Sequence, residues 1–411
     1  MECAQLKRFL EMNALEAARL ETADLVIFYS CGLTQLDAHI SIDLIDVLES
    51  QRKPGSEFIV WGCLPKIDPA LVASTHYGFA FGRRETDKLE AMIGAKIKYN
   101  DVKVNHLFHD DGQDLKRIRA KYQPDPLTYA LEELNCQLRS VALTGSDVFC
   151  VMTARGCLSK CKYCSDCHSS GRLTSKPVDR VLDEFRDGLH RGFKRFHLVS
   201  TDLGVYGRDL GYTLVHLLET ITGVDGQYEL LLPNINPRYL KDMLGGLLPI
   251  LQSGKVTLLG TSMQSGSNKI LRAMGRGHTI DEFKKCVAAM KEVSPKLRIW
   301  TQTQIGFPGE TEEDFDATLR VVDELPFDYV QVFKFSRRPT TPASYYANQV
   351  PETVLLHRYR ILLAKAIYKE VCDVKNGRLY LSPGSVPVEQ ALTETPVASL
   401  STHGVRDSPL S

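Results

Sequence analysis

From residue 147 onward the chain alternates apolar strand-like runs with amphipathic helical stretches, and few architectures accept that pattern. The runs are DVFCVMTARGC, FKRFHLVST, YELLLPNI, KVTLLGTSM, LRIWTQTQIGF and DYVQVFKFS, with a helical stretch before each of the later ones. Six βα units in a row predict parallel strands closed, wholly or partly, into a barrel. The expectation is a partial (β/α)6 TIM-like barrel over 147–381, whose site lies at the carboxyl ends of its strands.

The first hundred residues read as a smaller α/β unit. ADLVIFYSCG is an apolar strand, DAHISIDLIDVLESQRK has helical spacing, EFIVWGCLP is a second strand and GFAFG a short third. Strand, helix, strand predicts a small parallel sheet. Both clear strands end in a cysteine beside a turn residue, Cys31 and Cys63, at the edge where open α/β sheets place their ligands. Residues 101–146 are polar and proline-marked and read as a connector. The stretch 382–411, rich in Ser, Thr and Pro, has too little to bury and reads as a disordered tail.

Composition narrows the function classes. At 411 residues the chain is long enough for two domains, and 43% hydrophobic with 24% charged residues is a globular balance. No run of eighteen apolar residues occurs, so no membrane span is expected, and the charged, helical opening MECAQLKRFLEMNALEAARL lacks a secretory h-region. A cytoplasmic location is the expectation. Fifty basic and fifty acidic residues cancel, which weighs against nucleic acid as a partner, because phosphate contacts need Lys and Arg. Eleven cysteines without a signal argue for metal ligands or catalytic thiols rather than disulfides.

The densest cysteine stretch is ARGCLSKCKYCSDCHSSGR, residues 154–172. Cys157, Cys161 and Cys164 have C-x3-C-x2-C spacing at the exit of a strand. Three thiolates on one short loop can hold three irons of a [4Fe–4S] cubane, leaving the fourth iron open to a small molecule, whereas electron-transfer clusters use four cysteines. The alternative is a zinc loop, but zinc loops favour two separate C-x2-C units and only one such partner set lies here. Other motifs are weaker alone. Gly306, Phe307, Pro308 and Gly309 make a turn at a strand end, where backbone can approach a ligand. Gln264, Ser265, Gly266 and Ser267 form a polar knot suited to a ribose, an adenine or a carboxylate. Thr201 and Asp202 close the strand FHLVST, where a lone Asp is ordinarily an N-cap.

RGCLSKCKYC, with Tyr163 before the last cysteine, resembles the signature loop of radical S-adenosylmethionine enzymes. The resemblance implies that Cys157, Cys161 and Cys164 bind a [4Fe–4S] cluster whose open iron chelates S-adenosylmethionine. One electron from the cluster would then cleave the sulfonium to a 5′-deoxyadenosyl radical. It narrows to the methylthiotransferase branch through HLVSTDLGVYGRDLG, TSMQSGSNKILRAMGRGHT, IGFPGETEEDFDATL and FKFSRRPTTPAS, and through the FYSCG and WGCLP turns, covering roughly residues 1–369. The resemblance assigns cofactor contacts to Tyr163, Thr201, Asp202, Gln264, Ser265, Gly306, Pro308 and Glu310. It also implies a second, auxiliary [4Fe–4S] cluster on three N-terminal cysteines, which binds or supplies the sulfur inserted at a C–H carbon. Cys31 and Cys63 match two of its positions. The initial strand that would carry the third is missing, and Cys3 is the sole candidate, several residues later than helix register requires.

Cys167 stands where that family has no cysteine. It could ligate an iron, donate sulfur or face solvent, and His168 beside it adds nothing by itself. Cys136, Cys150, Cys286 and Cys372 lie singly and read as small buried hydrophobes. Members acting on tRNA or a ribosomal protein end in a small β-barrel, the TRAM domain, and the stretch after QVPETVLLHRYRILLAKAIYKEV, which ends at Val371, is too short for one. The expected function is therefore sulfur insertion by radical chemistry on a small nucleoside, metabolite or peptide. A reductase such as flavodoxin or ferredoxin would be the electron donor, and RNA is disfavoured. Two alternatives are tRNA methylthiolation without a TRAM domain and a non-catalytic iron–sulfur scaffold or sensor.

Overall fold

A computed structural model describes residues 1–106, 118, 121–122, 125–143 and 147–375; the side chains of 136–143 and 371–375 lie outside that description. Two parallel sheets organise the chain. The first has β1 (Leu25–Ser30), β2 (Glu57–Gly62) and β3 (Phe79–Gly82), paired in that order. Helix Gln35–Gln51 makes the β1–β2 crossover, and Thr34 opens it with a capping box to Asp37. Trp61, Phe9 and Tyr99 fill the core on one face, so helix Glu2–Met12 packs where an additional strand was missing from the sequence pattern.

The second sheet contains β4 (Val148–Met152), β7 (Arg195–Val199), β8 (Glu229–Ile235), β9 (Val256–Thr261), β10 (Arg298–Ile305) and β11 (Tyr329–Lys334). They are paired in chain order and parallel throughout. Each strand returns through a helix on the outer face, and the large core lies between strands and helices. This is the expected six-strand open barrel. A two-strand antiparallel ladder, β5 (Ala154–Arg155) with β6 (Thr174–Ser175), brackets the cysteine loop at its two ends.

One expectation needs correction. The connector contains an 18-residue helix, Pro126–Leu143, that packs along helix Glu352–Lys375. Asp125 starts it by accepting from Thr128 N (2.9 Å), and Pro126 sits at the first turn, where its missing N–H costs nothing. The proline marked a helix start rather than a loop. Tyr329 OH donates to Asn135 Oδ1 (3.1 Å), tying this helix to the barrel edge. Residues 382–411, expected as a tail, and the side chains of Cys136 and Cys372 lie outside the described residues.

The carboxyl ends of the two sheets face each other. Arg83, just past β3, donates through Nη2 to Asp166 Oδ1 (2.6 Å) and to Ser170, and its Nη1 reaches Glu2 Oε2 (3.4 Å). Arg155 Nη2 donates to Gln5 Oε1 (2.7 Å), and Gln35 N to Ser336 Oγ (2.7 Å). A glycine directly precedes the cysteine in two of the three cysteine-bearing turns in this region, the exception being Cys31 after Ser30. Gly62, before Cys63, has φ +137°, and an added Cβ would lie 2.3 Å from Ser30 O; Gly156, before Cys157, has φ +83°, with Arg172 O at 2.4 Å. Only a residue without Cβ lets these chains touch.

Gly62→Ala should therefore lose about 1–3 kcal/mol more than Gly55→Ala, since both carry positive φ but Gly55 has open space around it. Urea unfolding of the two variants measures the difference, and equal losses would show that the close approach does not matter.

Candidate functional site

The cysteine loop is built from both ends. β4 delivers Cys157, whose Sγ accepts from Ser159 N (3.3 Å), and Cys164 N donates to Cys161 O (3.2 Å). Between them the Lys162 peptide is gripped on both sides: its N–H donates to Met274 O (2.9 Å) and its carbonyl accepts from Ala343 N (3.0 Å). Loops after β9 and β11 thus hold a loop that follows β4.

A cavity of about 600 Å³ opens between the sheets. The radical-type cysteines Cys157, Cys161 and Cys164 line it, together with Cys167 and Cys3, and so do Tyr163, Thr201, Asp202 and Gln264 from the sequence-based set. Gln264 has φ +71°, an unusual conformation for a side-chain-bearing residue, held by N–H donation to Gln302 O (2.7 Å) and by Gln304 N donating back (2.8 Å). Asp202 is 4% exposed. Its Oδ1 accepts from Gly204 N (3.0 Å) and Asn236 N (3.2 Å), leaving Oδ2 at 3.7 Å from Cys157 Sγ.

Other expected contacts lie elsewhere. Ser265 is fully buried, its hydroxyl 3.4 Å from that of Thr318, and Ser267 caps helix Asn268–Met274, so this half of the polar knot serves packing. Glu310 accepts from Gly306 N (2.7 Å) and Arg358 Nη1 (3.1 Å), joining the turn of Gly306 and Pro308 to helix Glu352–Lys375. Burial pushes its carboxyl up to about 7, against those two donors. None of Ser265, Gly306, Pro308 and Glu310 is among the cavity wall residues.

Of the N-terminal cysteines only Cys3 lines the cavity; Cys31 and Cys63 are not among its wall residues, and both Cys31 and Cys3 interact electrostatically with Cys63. Burial pushes the Cys31 thiol up to about 12, with Asp37 and then Cys63 adding to the effect. Burial also raises Cys63, whose sulfur interacts with the hydroxyl of Ser169, and raises Cys3, which feels Glu2 and Cys63 as neighbours. Cys3 comes near this group because helix Glu2–Met12 packs Leu6 and Phe9 into the core beside Trp61 and Tyr99. Cys167 donates to Cys164 O (3.3 Å) from helix Asp166–Ser170, whose Ser169 is the residue touching Cys63. Cys150 and Cys286 are buried in the core, as expected of small hydrophobes.

Arg276 was missed by sequence reasoning. It is 5% exposed, donates from Nη1 to Cys161 Sγ (3.3 Å) and from Nη2 to Ser262 O (2.8 Å), and its Nε has no hydrogen-bond partner. The signal in LRAMGRGHT was slight, a second arginine just past a helix that already has Arg272 in its last turn. Only the fold shows that the turn aims it at the cysteine loop. Ser200 Oγ and Gln304 Oε1, also on the cavity wall, are likewise buried without a partner.

These features fit an iron–sulfur cluster with a polar ligand beside it. Among the described residues no three His, Cys, Asp or Glu side chains converge on a single-ion site. A cubane spreads its sulfurs over separate irons instead. Burial raises the Cys157 thiol to about 11, with Asp202 adding to it, and iron would deprotonate such thiols.

Comparison with known proteins agrees. Residues 151–322 match the Radical SAM superfamily, so the barrel is a radical SAM domain. S-adenosylmethionine and [4Fe–4S] clusters are the cofactors of that class. Within it, the relatives of this chain are methylthiotransferases. A probable threonylcarbamoyladenosine tRNA methylthiotransferase of Pyrococcus horikoshii is 27% identical over 364 residues, covering 86% of this chain and 79% of the relative. A tRNA-2-methylthio-N(6)-dimethylallyladenosine synthase of Carboxydothermus hydrogenoformans is 27% identical over 362 residues, 86% and 77%. The threonylcarbamoyladenosine tRNA methylthiotransferase MtaB of Thermotoga maritima reaches 36% over 213 residues, 51% and 49%. Among solved structures the radical S-adenosylmethionine methyltransferase TsrM of Kitasatospora setae shares the fold, with TM-score 0.52 and 13% identity over 84% of this chain and 66% of that one. Among the described residues no helix is long and apolar enough to cross a membrane.

His278, two residues beyond Arg276, gives a pH prediction. Burial and then the Arg276 charge hold it down at about 4, below the ordinary histidine value near 6.5. On acidification the unfolded chain takes this proton first, so the stability is complete above about pH 6.5 and is lost as pH falls toward 4. His278→Gln should flatten this acid limb, by up to about 3 kcal/mol, in urea unfolding compared at pH 7.5 and 4.5. An unchanged limb would rule His278 out.

Proposed function

We propose that this protein inserts sulfur at a C–H carbon, as a methylthiotransferase-like enzyme with two cysteine-held clusters. The observation that supports this best is the single cavity onto which Cys157, Cys161 and Cys164 open from the barrel and Cys3 opens from the N-terminal unit. Cys157, Cys161 and Cys164 would hold a [4Fe–4S] cluster, which when bound would supply the electron for reductive cleavage of S-adenosylmethionine. Cys31, Cys63 and Cys3 would hold the auxiliary cluster that carries the sulfur.

The chain's own side chains do the rest. Asp202, with Oδ1 committed to two backbone N–H groups, presents Oδ2 to a positive group beside Cys157, as the amino group of a methionine moiety requires. Ser200, Gln304 and Arg276 have buried polar atoms without partners on the same wall, a cost that a polar ligand removes.

A cavity of about 600 Å³ suits a nucleoside, metabolite or short peptide segment, and such a small target is the preferred substrate. A second reading is favoured by the names of the relatives and by local charge. Although the chain is neutral overall, the wall carries Arg83, Arg84, Arg155, Arg276 and Lys334 against Glu2, Asp166 and Asp202. A nucleotide extruded from an RNA would place only its base in such a cavity.

Product analysis tests the reaction. Turnover should yield S-adenosylhomocysteine and 5′-deoxyadenosine together, and deoxyadenosine alone would remove the methyl-transfer half while leaving sulfur insertion. Binding of bulk tRNA tests the substrate. The small-target reading expects no measurable binding at low salt, whereas tight binding that weakens steeply with salt would select RNA.

A further inference from the structure

The barrel cysteine loop lies between two buried charges of opposite sign. On one side Arg276 donates from Nη1 to Cys161 Sγ at 3.3 Å, and among the described residues no carboxylate forms an ion pair with its guanidinium, Asp202 acting on it at longer range. On the other, Asp202 Oδ2 stands 3.7 Å from Cys157 Sγ. Both residues are more than nine-tenths buried, so water screens neither well. A buried guanidinium lacking an acid partner is costly unless another anion meets it. Here the nearest candidate is the loop sulfur, made anionic when iron binds.

Arg276 is aimed by covalent and hydrogen-bonded structure rather than by chance rotation. Helix Asn268–Met274 ends with Gly275 N donating to Arg272 O (3.0 Å) and Arg276 N to Leu271 O (3.0 Å), while Met274 O accepts from Lys162 N in the cysteine loop. Nη2 is fixed on Ser262 O, which fixes the plane of the guanidinium. Iron–sulfur potentials are set by net charge, solvent exposure and hydrogen bonds to the sulfurs.

We propose that Arg276 and Asp202 are positioning residues that set the reduction potential of the centre on Cys157, Cys161 and Cys164, in opposite directions. This rests on the reading that those cysteines hold a [4Fe–4S] cluster. The step concerned is a one-electron transfer: an external donor loses one electron and the centre gains it, with no bond made or broken. Arg276 favours the added negative charge through its N–H···S bond. Asp202 opposes it.

The test is a redox titration of reconstituted full-length protein, followed by EPR, without S-adenosylmethionine so that its binding does not enter. Titanium(III) citrate is the donor. Arg276→Gln should lower the reduced-to-oxidised ratio at a fixed potential at least tenfold, a shift of about 59 mV for one electron. Asp202→Asn should raise the ratio, and should do so even if Arg276→Gln fails to fold. Arg276→Lys, which keeps charge but not the fixed fork, should fall between wild type and the glutamine variant. Variants that hold the cluster with ratios within threefold of wild type, or that both move the same way, overturn the inference alone. A wild-type protein that holds no cluster at the barrel cysteines overturns the reading beneath it, and the inference with it.

Discussion

The arrangement of the site depends on one ion-paired guanidinium. Arg83 leaves the end of the three-strand sheet and meets Glu2 of the first helix and Asp166 of the helix that follows the barrel cysteines. Its side chain is 15% exposed, so these pairs work in a poorly screened setting, and removing both carboxylates would leave a largely buried charge unpaired. Without this junction the two sheets would have only scattered polar contacts to keep their carboxyl edges opposed. The cavity exists because those edges face each other.

Much of the fold was legible in the sequence because its signals are periodic and local. The five strand-like runs after β4 and the three before it all became strands, within a few residues of the expected ends. The helix Pro126–Leu143 was not legible as such, because a proline and an acidic residue that open a helix look the same as those that make a turn. The site was legible in part for a related reason. Cysteine spacing within one loop is a short-range property, and so are the strand-end positions of Thr201 and Asp202. By contrast, Arg276 approaches Cys161 across 115 positions of sequence, and Ser169 approaches Cys63 across a domain boundary. Such contacts come from tertiary packing, which no local pattern records. The same limit explains Glu310 and Ser265, whose motif suggested ligand contact while their side chains serve the turn and helix behind it.

Overall charge was a poor guide to the cavity. Fifty acids offset fifty bases over the chain, yet the wall between the sheets has more bases than acids. A field near a site depends on the charges within about a Debye length, not on the sum over the molecule. Any anionic ligand, whether a carboxylate or a phosphodiester, therefore meets a different environment from the one composition suggests.

The five residues Asp166–Ser170 have a consequence for how this protein tolerates change. One turn of helix carries the Arg83 anchor, the extra thiol Cys167 and the hydroxyl beside Cys63, and it begins two residues after Cys164. It is too short to bend in one place and stay still in another. A substitution here shifts both cysteine sets together, so the effects of two changes on opposite sides of it will not add. The two halves of the molecule are in that sense a single mutational unit, joined through the contacts of five residues.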